Sequence, residues 1–407
     1  MDPVLLAAGL VALFVGALFT HLERWSITPP LLGLLTGVLI GPEVLGAVTI
    51  PASDEIHVVQ VAARLLLAVA LMGIALRYPI GQVRSRRRPV ALLLIVAMPA
   101  MAAAVAVGAA WLLSLPLALA AVLGACLSPT DPVLASGIVT GEPAEEDIPA
   151  SNRQILSLES GANDGLALPF VVIALAWFLE QPLGDELGRA VYEVLGAVAV
   201  GALAGFGAGR ALRWADRHRE IRPAVASLYA LVLAAFVLGL SGVIGVGGLL
   251  SVFVAGLVHN HMVSSSERAS EVAIDEALNQ YLVVPVFVLV GVVIPWRDWG
   301  ELGWRGAVFV VVALLLRRLP VIAALKRPLQ ASWPQVVWLG WFGPIGVAAL
   351  FYLGLVHEQG ATDPRLWAAG TLVVAVSTFV HGLSAGPARL LHRRRTGTHA
   401  GQGDDTG

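Results

Sequence analysis

Two short polar motifs interrupt long apolar stretches of this sequence. The first motif holds an aspartate between two prolines: Ser128-Pro129-Thr130-Asp131-Pro132. The second motif holds two acids and an amide: Glu159-Ser160-Gly161-Ala162-Asn163-Asp164-Gly165. Ionisable side chains are costly in apolar surroundings, so their presence there marks candidates for function. Carboxylate, hydroxyl, amide and carbonyl oxygens together suit a proton or a small hard cation.

The spacing of these residues predicts how their oxygens are arranged. Each proline removes a backbone donor and clashes with the preceding turn, so the helix is expected to unwind at Thr130 and Asp131. Carbonyls freed inside a membrane must find a partner or line a wet cavity. In the second motif, Ser160 and Asp164 are four residues apart and share a helical face, as do its glutamate and asparagine. The alternatives are a simple proline kink and a structural polar network.

Further polar residues lie in the last third of the chain. A second apolar stretch is broken by Trp341-Phe342-Gly343-Pro344-Ile345-Gly346. Two broken spans in corresponding positions indicate an inverted-repeat transporter. Arg317 and Arg318 lie inside an apolar stretch and need an acidic partner, for which Glu159 is expected, or a path to the interface. His381 is expected to be a hydrogen-bonded core histidine, with pH sensing as the alternative.

The composition places these motifs in a membrane protein. The 407 residues are 57% hydrophobic and 13% charged, and the mean hydropathy is +0.80. A soluble domain is about a quarter charged. The net charge of -2 leaves no basic surplus for nucleic acid, and the single cysteine, Cys126, excludes a disulfide framework or a cysteine metal site. The predicted class is an all-α polytopic membrane protein.

The apolar stretches predict thirteen transmembrane helices, because about 20 apolar residues cross a bilayer. They are 4–22, 29–48, 58–76, 89–113, 117–138, 153–179, 187–212, 223–240, 242–260, 279–296, 304–325, 335–356 and 365–388. The first is predicted to be a span and not a cleavable signal peptide. Residues 264–278 are expected to form a partly charged helix near the interface. Basic loops follow spans three, seven, eleven and thirteen, which predicts an external N-terminus and a cytoplasmic C-terminus.

The stretch 126–170 resembles the most diagnostic region of monovalent cation/proton antiporters, through its blocks 130–135 and 159–165. Residues 317–320 and 341–346 are similar to those of the NhaP-like and fungal plasma-membrane sodium/proton antiporter branch. The resemblance covers about 58–390. It implies an NhaA-type inverted-repeat fold with two broken, crossing helices, in a homodimer. It also implies a scaffold domain (1–88 and 187–300), a core ion-transport domain (89–186 and 301–391) and a disordered cytoplasmic tail (392–407).

The resemblance carries roles over to individual residues. It implies that Asp164 is the main carboxylate for the cation and the proton, helped by Ser160 and by the backbone of Thr130. It implies that Asp131 compensates the ends of the half-helices. The transported cation is expected to be Na⁺, with Li⁺ and K⁺ as alternatives, in exchange for H⁺.

Supporting roles follow in the same way. Asn163 is expected to order the site, and Glu159 to pair with a basic residue of span eleven. Arg317 is the first choice for that partner and Arg318 the second. The chain departs from some NhaP-like members in having Ala75 where they place an acid in span three.

A second departure is Ile345, where some relatives have an arginine. No cofactor is expected, and the sequence lacks an ATP-binding G-x-x-x-x-G-K-[ST] motif, so the energy would come from an ion gradient. The predicted partners are the ions, the bilayer of the cell membrane and a second copy of the chain. The alternatives are a sodium-coupled symporter for an organic substrate, a passive channel and an intramembrane aspartyl protease; the first two, like the antiporter, are not enzymes.

Overall fold

In a computed structural model of the chain, residues 6–7, 9–14, 16–17, 28–218, 223–263 and 265–396 are described, and their regular structure is entirely helical. Two π-helical turns, Leu93–Ala97 and Val312–Leu316, lie within longer helical stretches. The helices are Pro29–Ile40, Glu55–Arg77, Ile80–Leu92, Met98–Leu112, Leu117–Cys126, Ser136–Val139, Glu142–Asp147, Ala150–Phe178, Leu183–Arg217, Pro223–Ile244, Gly248–Met262, Ser265–Val292, Trp296–Val311, Leu319–Ala324, Trp333–Trp341, Val347–Glu358 and Pro364–Thr396.

The helices match the predicted spans closely. The described residues contain six helices long and apolar enough to cross a membrane and six shorter apolar helices, and each of these twelve overlaps one of the predicted spans two to thirteen. Of predicted span 4–22, residues 6–7, 9–14 and 16–17 are helical and the remainder lies outside the described residues. The segment 265–278 forms the first part of one long helix that ends at Val292. The last helix extends to Thr396, into the range predicted to be disordered, and 397–407 lie outside the described residues.

Spans five and twelve are both interrupted, as the prolines predict. The first crossing segment, residues 127–135, separates the helices Leu117–Cys126 and Ser136–Val139. The second crossing segment, residues 342–346, separates Trp333–Trp341 from Val347–Glu358. The two segments touch, because the main-chain N–H of Asp131 donates to the carbonyl of Pro344 at 2.8 Å. The predicted pair of broken, crossing helices is therefore present.

The elements before and after each crossing segment repeat in the two halves. The span before each one contains a π-helical turn, Leu93–Ala97 in the first half and Val312–Leu316 in the second. The span after each one is a long helix, Ala150–Phe178 in the first half and Pro364–Thr396 in the second. Because π-helical turns are rare, the presence of one in the same position of both halves supports the predicted repeat.

The helix Ala150–Phe178, here called the carrier helix, packs closely against Gly248–Met262. A Cβ atom added at Gly165 would lie 2.8 Å from the Cα of Leu250, and one at Gly161 would lie 2.8 Å from the ring of Phe253. Small residues allow helices in membranes to approach closely in this way. The face of the carrier helix that bears Gly161 and Gly165 therefore lies in close contact with the helix Gly248–Met262.

Candidate ion-binding site

Asp131 joins the N-terminal ends that follow the two breaks. Its Oδ1 accepts hydrogen bonds from the backbone N–H groups of Val133, at 2.7 Å, and Leu134, at 3.1 Å. Its Oδ2 accepts from the backbone N–H of Val347, the first residue of the half-helix Val347–Glu358. The residue is 1% exposed. A buried carboxylate here satisfies backbone donors on both sides of the crossing and complements the positive end of the half-helix Val347–Glu358.

Arg317 makes the opposite connection, at the C-terminal ends that precede the two breaks. Its Nη1 donates to the main-chain oxygens of Leu127, at 2.6 Å, Ser128, at 3.2 Å, and Pro129, at 3.1 Å. Its Nη2 donates to the main-chain oxygen of Gly343. The guanidinium thus satisfies carbonyls of both crossing segments where the helix dipoles are negative.

Arg318, and not Arg317, is the partner of Glu159. Its Nη1 and Nη2 donate to the two carboxylate oxygens of Glu159 at 2.8 and 2.7 Å, and the side chains are 1% and 0% exposed. The sequence-based preference for Arg317 as the partner is therefore wrong. The two arginines lie in the turn between Val312–Leu316 and Leu319–Ala324 and point in different directions, and only Arg318 is directed at Glu159 on the carrier helix.

A network of polar side chains connects the carrier helix to the first crossing segment. The backbone N–H of Thr130 donates to Oδ1 of Asn163 at 3.2 Å, and Nδ2 of Asn163 donates to the Thr130 hydroxyl at 2.8 Å. Asn163 also donates to Oε1 of Glu159 at 3.0 Å. The hydroxyls of Thr130 and Ser160 lie 2.9 Å apart. These four residues are fixed by one another in the interior.

Asp164 differs from its neighbours because its carboxylate is unpartnered. It is 0% exposed. Among the residues that the structure describes, none donates a hydrogen bond to either of its carboxylate oxygens. A buried carboxylate left without donors is costly unless it binds a proton or a cation. Asp164 is therefore the position at this site where a positive charge is most needed.

Two glycines explain why the second crossing segment lies so close to the charged residues. A Cβ atom added at Gly346 would overlap Oδ2 of Asp131, and one added at Gly343 would overlap the Cδ atom of Arg318. Any side chain at either position would displace a charged group from its partner. The spacing of glycines in this motif is therefore set by contacts of Asp131 and Arg318.

The last helix supports the second crossing segment in the way that Asn163 supports the first. The hydroxyl of Ser377 accepts a hydrogen bond from the backbone N–H of Ile345 at 2.9 Å. His381 lies 3.2 Å from that hydroxyl and 3.1 Å from the main-chain oxygen of Trp341. His381 is thus a hydrogen-bonded core histidine, as expected, while Ser377 was not singled out from the sequence.

The departures from the NhaP-like pattern also have structural correlates. Ala75 is fully buried, and a Cβ atom added at Gly256 would lie 2.6 Å from its Cβ atom. No room is available there for an acidic side chain without moving the helix Gly248–Met262. Arg64, a further ionisable residue within a span, has its guanidinium beside Gly242. Sequence reasoning also missed Tyr352, whose hydroxyl donates to the main-chain oxygen of Asp164.

Known proteins are similar in sequence to this chain over most of its length. The profile of the family described as sodium/hydrogen exchanger, transmembrane, matches residues 9–389. The chain is 29% identical over 360 residues to Na(+)/H(+) antiporter 2 of Zygosaccharomyces rouxii, which covers 84% of this chain and 43% of that protein. It is 28% identical over 427 residues to a Na(+)/H(+) antiporter of Schizosaccharomyces pombe, which covers 94% of this chain and 88% of that protein. The chain thus spans less than half the length of the Zygosaccharomyces relative.

A solved structure shares the fold. The sodium proton antiporter MjNhaP1 from Methanocaldococcus jannaschii superposes with a TM-score of 0.75 at 19% identity, over 96% of this chain and 98% of that one. The antiporter fold expected from the motifs is confirmed, as is the resemblance on which it rested. By its profile, which covers nearly the whole sequence, the chain belongs to the transmembrane sodium/hydrogen exchanger family.

Proposed function

We propose that this protein exchanges a monovalent cation for protons across the membrane, with Asp164 as the shared carboxylate. The observation that carries the proposal is the buried Asp164 side chain, to which no described residue donates a hydrogen bond. Na⁺ is the first choice for the cation, with Li⁺ and K⁺ as alternatives. Membership in an exchanger family supports transport rather than catalysis by an enzyme.

The exchange follows from competition for one negative charge. Three buried carboxylates, of Asp131, Glu159 and Asp164, meet the two buried guanidiniums of Arg317 and Arg318. One negative charge is therefore uncompensated until a proton or a monovalent cation binds. A loaded site is electrically neutral and crosses the bilayer at lower cost than an empty one, because an uncompensated charge in the membrane is expensive. Movement only when loaded makes exchange obligatory, with one cation per proton.

The ligands proposed for the cation come from both motifs. Asp164 would supply its carboxylate, Ser160 its hydroxyl and Thr130 a backbone oxygen. Ser160 shares a helical face with Asp164, and its hydroxyl lies 2.9 Å from that of Thr130. Oxygen ligands of this kind suit alkali cations, while the proton needs only the carboxylate.

The proposed moving unit is the core domain, 89–186 and 301–391. The residues that meet at the crossing, including 127–134, 159–164, 317–318, 343–347 and 377, all lie in these ranges, which favours their moving as one body. The scaffold, 1–88 and 187–300, is proposed to form the homodimer. We place the protein in the cell membrane. Because the basic loops favour the cytoplasmic side, its N-terminus would lie outside and its C-terminus in the cytoplasm.

A contact between the proposed domains offers a test of this movement. Nδ1 of His57, in the scaffold, lies 2.6 Å from Oε1 of Glu358, in the core. Replacing both residues with cysteine and joining them with a short bifunctional thiol reagent should stop exchange, because the core could no longer slide. The single native cysteine, Cys126, is buried and can be retained. Each single-cysteine variant, treated with the same reagent, is the control. Normal exchange in the cross-linked protein would contradict a core that moves past residue 57.

The proposed exchange is tested in proteoliposomes with a preset pH gradient and a trapped pH dye. Adding NaCl or LiCl should collapse the gradient in the wild type, and choline chloride should not. Asp164→Asn should abolish the response while the protein still inserts and elutes at its normal size. Clamping the voltage with a membrane-permeant lipophilic ion should leave the rate unchanged if the loaded site is neutral. No response to any alkali cation between about pH 6 and 9 would contradict the proposal.

A further inference from the structure

Asp164 has its position fixed through its main chain rather than through its carboxylate. The other polar side chains of its motif, Glu159, Ser160 and Asn163, are each held by residues of other elements. Among the described residues, no side chain or backbone group donates to the Asp164 carboxylate. Its location relative to the proposed ligands therefore depends on what holds its backbone. Tyr352 is one such group.

Tyr352 connects Asp164 to the second crossing segment. It lies in the half-helix Val347–Glu358, is 1% exposed, and donates its hydroxyl to the main-chain oxygen of Asp164. The start of the same half-helix is held by Asp131, which accepts from the N–H of Val347. One rigid half-helix is thus attached to Asp131 at one end and to Asp164 about a turn and a half further along.

We infer that Tyr352 is a positioning residue that sets the distance between the Asp164 carboxylate and the oxygens of the first crossing segment. This distance fixes the size of the oxygen cage that a cation would occupy. A proton binds to a single carboxylate oxygen and does not depend on the cage. Tyr352 therefore governs which alkali cation is bound and how tightly, and has much less influence on protonation.

The chain provides a matched control for this inference. Tyr78 is also buried, at 5% exposed, and its hydroxyl donates to the hydroxyl of Ser157 at 3.1 Å. Ser157 belongs to the same carrier helix as Asp164 but lies about two turns away from it. Tyr78→Phe removes a tyrosine hydroxyl that contacts the same helix but does not contact the backbone of Asp164.

The experiment compares wild type, Tyr352→Phe and Tyr78→Phe in proteoliposomes, with KM and maximal rate measured for Na⁺, Li⁺ and K⁺. In Tyr352→Phe the cation KM should rise about 5- to 10-fold, as expected for one lost hydrogen bond. The ratio of the Na⁺ and Li⁺ KM values should change by about threefold or more, while the maximal rate stays within about twofold. Tyr78→Phe should leave the KM ratio at its wild-type value.

The inference rests on the proposed exchange activity, and the two fail in different ways. An inactive wild type would overturn the proposed function. An active wild type with an unchanged KM ratio in Tyr352→Phe, or with the same change in Tyr78→Phe, would overturn the role of Tyr352 alone. A lowered thermal midpoint without a change in KM would also overturn it. If Tyr352→Phe does not assemble, 4-aminophenylalanine at this position, which keeps a donor, should retain the wild-type ratio, and 4-methylphenylalanine should not.

Discussion

Replacing Glu159 with glutamine should destabilise the protein strongly. Arg318 donates to both oxygens of this carboxylate at 2.8 and 2.7 Å, and both side chains are almost completely buried. The glutamine keeps one acceptor, so the bond from Asn163 at 3.0 Å survives. The guanidinium of Arg318 is left without its counter-charge, which typically costs about 3–5 kcal/mol. The thermal midpoint in detergent should fall by on the order of 10 °C.

A double-mutant cycle separates the two arginines. Arg318→Met alone should destabilise by a similar amount, and Glu159→Gln combined with Arg318→Met should lose less stability than the sum of the two single losses. The coupling between these two positions should reach about 2–3 kcal/mol. Arg317→Met is the matched control, because Arg317 donates to main-chain oxygens of both crossing segments and not to Glu159. Equal coupling of Glu159 to both arginines, or none to Arg318, would refute the reasoning.

Three further results are expected. Cation-driven flux should fall as the pH is lowered, because protons occupy the Asp164 carboxylate, and a higher cation concentration should restore it; a flux that more cation cannot restore would contradict competition at one group. Asp131→Asn should impair exchange through geometry, because its amide nitrogen must face either the N–H of Val347 or those of Val133 and Leu134, so a donor replaces one of the two acceptors; normal flux would contradict this cap. Gly346→Ala should reduce both flux and thermal stability, because the added Cβ would overlap Asp131, whereas Gly239→Ala, with nothing within 4 Å of the added atom, should be neutral; equal effects of the two would contradict the close contact.

The features that could be predicted from the sequence depend on local physics. Proline removes a backbone donor wherever it stands, so the breaks around Asp131 and Pro344 could be placed without knowing their surroundings. The spans from residue 29 onward could be predicted because an apolar stretch of sufficient length can cross a bilayer whatever surrounds it. Each of these twelve stretches overlaps an apolar helix. Ser160 and Asp164 were expected on one helix, and both lie on the carrier helix.

The choice between Arg317 and Arg318 could not be predicted because it depends on a register that the sequence does not display. The π-helical turn Val312–Leu316 ends immediately before Arg317. A π turn inserts a residue into the helix and rotates everything that follows, so helical periodicity no longer tells which arginine faces Glu159. Tyr352 and Ser377 were missed for a different reason. Nothing in the sequence around either residue distinguishes it from an ordinary buried residue. Only the fold brings each of them to the crossing.

The first crossing segment depends on residues of the second half of the chain for its hydrogen bonds, and this affects how the protein is made. Arg317 donates to the carbonyls at the first break, and the N–H of Val347 donates to one oxygen of Asp131. Both residues emerge from the ribosome long after residues 127–135. A half-synthesised chain therefore holds bare helix ends within the bilayer, where unsatisfied polar groups are costly. We expect the first repeat to remain loosely inserted, or attended by the insertion machinery, until the second repeat arrives. Assembly of the two halves would then be the committed step of biogenesis, and substitutions at Arg317 would first be detected as degraded nascent protein.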